Sequence, residues 1–118
     1  TNNLADRYYY GEGVNKDYAK AVELYNTALA TGRKYADGLN RLAICYENGY
    51  GVEADINKAI ELYKEAAALD SNAALYNLGL LYETGKGVTK DIEQAIAYYQ
   101  QSADLGSTWA QEKLDALQ

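Results

Sequence analysis

The chain is 118 residues long, enough for one domain that either buries a modest core or stacks a few repeat units side by side. Its 17 acidic and 11 basic residues leave a net charge of −6, which argues against nucleic acid and anionic membrane as partners, because both favour a positive surface. With no histidine and a single cysteine, Cys45, it cannot build a zinc site of the usual Cys/His kind, a triad containing histidine or an internal disulfide, so no metal, cofactor or catalytic residue is expected. No apolar run approaches the roughly 20 residues that a membrane span requires. No basic segment followed by an apolar stretch precedes the first helix, so an export signal is either absent or trimmed away, and both a cytoplasmic and an exported chain fit.

The first element is a partial helix around Leu4, Ala5 and Tyr8, closed by Gly11-Glu12-Gly13-Val14-Asn15-Lys16-Asp17. A helix follows in which Ala21, Leu24, Tyr25 and Ala28 stand at positions i, i+3, i+4 and i+7, one stripe of an α-helix to be buried. Arg33-Lys34-Tyr35 read as a loop. The next helix carries the stripe Leu39, Leu42, Ala43 and Tyr46, then comes Gly49-Tyr50-Gly51-Val52-Glu53-Ala54-Asp55, and a helix with Ala59, Leu62, Tyr63 and Ala66. Leu75, Leu78, Gly79 and Tyr82 mark a fifth helix, Gly85-Lys86-Gly87-Val88-Thr89-Lys90-Asp91 a third loop, and Ala95, Tyr98, Tyr99 and Ser102 a sixth helix. A terminal helix from Thr108 places polar residues around Leu114 and Leu117 and reads as a cap on the stack.

The three G-x-G-V-x-x-D segments stand 38 and then 36 residues apart, so the chain is a repeat of helix A, loop, helix B. Gly11, Gly49 and Gly85 are expected to end each A helix in the left-handed conformation, with Gly13, Gly51 and Gly87 completing the turn. Asp17, Asp55 and Asp91 stand where an N-cap oxygen would receive the free amides of helix B. Small residues at Gly38, Ala74 and Ala110, and at Ala5, Ala43 and Gly79, are expected to let two helix backbones approach. Cys45, beside Ile44 and Tyr46, reads as a packed thiol.

These motifs resemble the Sel1-like repeat, a relative of the tetratricopeptide repeat with the pattern A-x3-L-G-x2-Y-x2-G-x-G-V-x2-D-x2-K-A-x3-Y-x2-A-A-x2-G. Residues 74–106 match best. The second copy has Ala43 for glycine and Asp70 for the closing glycine, and the first lacks most of helix A. The resemblance implies an all-α, right-handed α-α superhelix, a solenoid of about three hairpins plus the capping helix, in one domain. Its repeats are expected at about 1–35, 36–71 and 72–107, followed by a terminal helix at 108–118. It also implies an adaptor that binds protein through a concave groove lined by the A helices.

On the A helices, the positions outside the core stripe would then face that groove: Asp6, Tyr9, Tyr10, Asp37, Asn40, Ile44, Glu47, Asn48, Tyr76, Leu80, Glu83, Trp109 and Glu112. This surface is acidic and rich in tyrosine and bears no lysine or arginine, which suits a protein or peptide partner with basic or aromatic residues. A monomer is expected. The rival is a spacer or self-assembling segment of a larger array. An enzyme is disfavoured, since carboxylate pairs such as Asp6 with Asp37 or Glu47 with Glu83 would lie in an open groove rather than a shaped pocket.

Overall fold

A computed structural model describes residues 4–30, 32 and 36–117, and among these the regular structure is entirely α-helical. The helices are α1 (Leu4–Tyr10), α2 (Tyr18–Ala30), α3 (Ala36–Asn48), α4 (Ile56–Ala68), α5 (Asn72–Thr84), α6 (Ile92–Asp104) and α7 (Thr108–Leu117). The loop assigned to Arg33, Lys34 and Tyr35 lies outside the described residues. Helices α1 and α2, α3 and α4, and α5 and α6 pair as hairpins. Each hairpin meets the next through α2 on α3 and α4 on α5, α3 also touches α5, and α7 packs on α6. The result is an all-α repeat solenoid, a stack of 43 × 27 × 26 Å.

Each hairpin closes in the same way. Gly85 takes a left-handed φ of 74°, and its N–H and that of Lys86 both donate to the Leu81 carbonyl, at 2.8 and 3.0 Å, which satisfies a carbonyl at the end of α5. Gly49 and Tyr50 do the same to Cys45, and Gly11 and Glu12 to Arg7. Asp91 then donates its own N–H to the Tyr82 carbonyl at 2.9 Å, while its side chain accepts from the Gln94 amide at 3.1 Å and starts α6. Asp55 repeats this pair of bonds with Tyr46 and Lys58, and Asp17 with Tyr8 and Lys20.

The second glycine of the second and third loops has a further job, set by what lies beneath it. Gly51 rests on the start of α2, where a Cβ would collide with the backbone of Tyr18 and Ala19. Gly87 rests in the same way on Ile56 at the start of α4, whereas Gly13 has nothing within 4 Å. Loops therefore seat on the B helix of the preceding hairpin. Asp70 takes a φ of 64°, the only positive value among described residues other than glycine, at the position where Gly106 stands in the next hairpin.

The core runs through Ala21, Tyr25, Leu39, Leu42, Ala59, Leu62, Tyr63, Leu78 and Tyr99. It is wider than a single stripe on the A helices. Cys45 and Leu81 are fully enclosed although they fall beside the expected stripe, and Tyr8, Tyr46 and Tyr82 are only partly buried. The reason is that an A helix such as α3 is covered by its own B helix, by the preceding one and by α5, so more than one face is buried. At Gly79 the close neighbour is not a backbone but the ring of Tyr99, which a Cβ would meet at 2.5 Å.

Candidate functional site

The B-helix tyrosines that fill the core each bring one polar atom with them, and a buried hydroxyl needs a partner. Tyr25 donates to Asp6, Tyr63 to Glu47 and Tyr99 to Glu83, each at 2.6 Å, the short distance of a hydroxyl on a carboxylate. Bonds to a charged group contribute about 1.5–3 kcal/mol each. Burial first, and then the adjoining carboxylate, push the Tyr63 and Tyr99 hydroxyls above the ordinary tyrosine range, so both stay protonated donors.

The same three carboxylates also hold cations from neighbouring segments. Arg41 on α3 reaches Asp6 at 3.1 Å, Lys86 in the third loop reaches Glu47 at 2.9 Å, and Lys113 on α7 reaches Glu83 at 3.5 Å. Each tyrosine, carboxylate and cation thus forms a clamp, two of them across a junction between hairpins and the third between the last hairpin and α7. Asp6, Glu47 and Glu83, expected to face a partner as free acids, carry internal partners instead. The groove-facing positions hold no cation themselves; the cations reach in from Arg41, Lys86 and Lys113, which sequence reading by column does not reveal.

The remaining positions divide into two groups. Asn40 is buried and accepts a hydrogen bond from Asn77 at 3.0 Å, tying α3 to α5. Ile44 and Leu80 pack against the core, and the Asn48 side chain donates back to the Ile44 carbonyl. Tyr9 is partly buried, edge-on to Tyr10 and Tyr18 at 4.9 and 5.5 Å, and burial raises its hydroxyl above the usual range. Tyr10 is exposed beneath the Arg41 guanidinium, which also donates to its hydroxyl at 2.8 Å. Tyr18 in turn stacks on Tyr50 at 4.7 Å, so an aromatic row runs from Tyr10 to Tyr50. Asp37 is exposed.

Tyr76, Trp109 and Glu112 are brought together. With Lys113 they line an open pocket of about 390 Å³ between α5 and α7. Trp109 is 68% exposed, and its ring centroid stands 6.0 Å from that of Tyr76, which leans on Tyr99 at 5.7 Å. Lys113 was not among the expected residues. Cys45 is enclosed, and burial pushes its thiol up to about 11, which keeps it from acting as a nucleophile near neutral pH. No group of three or more acidic, cysteine or histidine side chains among the described residues could hold a metal ion, and none of the described helices is long and apolar enough to cross a membrane.

A family model for the Sel1 repeat matches residues 1–30, 36–71 and 72–107. The chain belongs to the Sel1 repeat family. Sel1 repeat proteins are generally protein-interaction modules and non-catalytic scaffolds. Among solved structures this Sel1 repeat chain is similar to a Sel1 repeat protein from Oxalobacter formigenes, at 32% identity and a TM-score of 0.86 over 94% of this chain and 44% of that one. It is also similar to c5321, a protective antigen present in uropathogenic Escherichia coli strains that displays an SLR fold, at 32% identity and a TM-score of 0.85, covering 94% of this chain and 23% of that one. A third relative is Helicobacter pylori cysteine rich protein B, at 26% identity and a TM-score of 0.75, covering 93% and 88%. The Sel1 repeat chain therefore spans less than half the length of the first two. No curated protein matches it.

Proposed function

We propose that this chain is an adaptor that holds a protein or peptide partner on its A-helix face, at a surface built from tyrosine, tryptophan and free carboxylates and suited to basic or aromatic residues. The observation that carries the reading is the convergence of Tyr76, Trp109 and Glu112 on one open pocket, with a tryptophan left 68% exposed. Large aromatic side chains offer wide contact area at low entropic cost and dominate binding energetics where they are desolvated. The acidic net charge turns away nucleic acid and anionic lipid and draws a basic partner.

On this reading a partner's cations would pair with the acids that lack internal partners. Asp6, Glu47 and Glu83 hold their clamps, whereas Asp37 and Glu112 have no ion-pair partner among the described residues. The test is capture of partners from a cell extract by the intact chain and by a Tyr76→Ala/Trp109→Ala variant of unchanged helicity. Partners retained equally by both would place the contact elsewhere, on the convex face or the loops. Partners lost in the variant, and bound more weakly as salt rises, support the surface.

A further inference from the structure

We propose that the pocket between α5 and α7 is a receptor for a single arginine side chain of the partner, an inference that rests on the adaptor reading and specifies its anchor. The pocket is lined by Tyr76, Trp109, Glu112 and Lys113, and its two rings touch at a 50° tilt with centroids 6.0 Å apart, so that a planar group can lie on an exposed ring face but not between the rings. Its charge is decided by which groups are already neutralised. Lys113 is paired with Glu83 at 3.5 Å, and Glu83 also receives the Tyr99 hydroxyl. Glu112 has no hydrogen-bond or ion-pair partner among the described residues. One helical turn from Trp109 on α7, it is the uncompensated charge of the pocket.

The exposed face of Trp109 and an unpaired carboxylate lining the same pocket match the guanidinium group on each count. It is planar and stacks on aromatic rings, it is always cationic, and its fork of N–H donors fits a carboxylate. A lysine ammonium would satisfy the charge but not the flat ring, and an aromatic side chain would cover the ring and leave Glu112 without a partner. The pocket holds about 390 Å³ and opens to solvent, room for one long side chain entering from outside.

Trp109 is the chain's only tryptophan, so its emission reports this pocket alone. The intact chain is titrated with the capped peptide acetyl-Gly-Arg-Gly-amide and with the same peptide carrying citrulline, which keeps the shape and removes the charge. A saturable change in emission with the arginine peptide is expected, weakened at least about 5-fold with citrulline. Glu112→Gln should weaken the arginine peptide about 5- to 10-fold and leave the citrulline peptide unaffected, while Lys113→Gln should not weaken it. Equal responses to the two peptides, no saturable response, or an arginine response indifferent to Glu112→Gln would overturn the assignment. If no peptide responds but the Tyr76→Ala/Trp109→Ala variant still loses captured partners, the arginine assignment fails while the adaptor reading stands.

Discussion

Gly13, Gly51 and Gly87 hold the same place in three loops at the same φ, 73°, 73° and 74°, and differ in what a methyl group would strike. Replacing each with alanine therefore separates backbone strain from the docking of one hairpin on the next. Gly13→Ala suffers only the left-handed conformation, which costs an L-residue about 1–2 kcal/mol. Gly51→Ala suffers that and drives the new Cβ into the backbone of Tyr18 and Ala19, which cannot move without opening the junction between the first and second hairpins. Overpacking of this kind adds about 1–3 kcal/mol, for a total of about 2–5 kcal/mol. Gly87→Ala meets the Ile56 side chain, which has some freedom to shift, and should fall between. The loss of stability is read by thermal and urea denaturation followed by circular dichroism. At this chain length 1 kcal/mol corresponds to about 3–6 °C in Tm, so the series is resolvable. Equal losses for Gly13→Ala and Gly51→Ala would refute the seating of loops on preceding B helices.

Three more outcomes are expected. Asp70→Gly should raise stability by about 0.5 kcal/mol, because a φ of 64° strains aspartate and not glycine; a lower Tm would mean that the aspartate side chain matters more than the strain. Tyr63 and Tyr99 have hydroxyls raised above the unfolded tyrosine value of about 10, so their contribution is whole below that pH and is lost as pH climbs through the folded-state values. Urea midpoints should accordingly fall above about pH 10, and less so in Tyr63→Phe/Tyr99→Phe; parallel profiles for the two proteins would count against the clamps. Cys45 should resist a disulfide reagent at about pH 8 in the folded chain and react fully in denaturant, since burial shields the thiol and pushes it up to about 11; fast labelling of the native protein would contradict that placement.

The architecture was legible because it is written in spacing. Ala59, Leu62, Tyr63 and Ala66 declare a helix and its buried face by their intervals alone, and all four are enclosed. What spacing misses is whatever depends on two neighbours at once. Cys45 lies outside the stripe of α3, yet it is buried because a helix in a stack is covered from more than one side. Arg41, Lys86 and Lys113 look like solvated charges in sequence, and only the folding of one hairpin against the next sets them beside Asp6, Glu47 and Glu83. The same holds for Tyr18 and Tyr50, whose rings stack across a junction between repeats.

Asp6 carries a consequence for how such chains are compared. Counting back from the first loop glycine, Glu47 and Glu83 occupy one column of the repeat, and Tyr9 occupies it in the first hairpin. Asp6 stands one helical turn earlier, in the column of Ile44 and Leu80, and still receives the Tyr25 hydroxyl at 2.6 Å. The tyrosine oxygen is thus an address that a carboxylate can reach from either of two turns. A column-by-column consensus would score the first hairpin as lacking its acid, although the bond is made, and a designer lengthening the stack could move that acid by a turn to free the outer column for recognition.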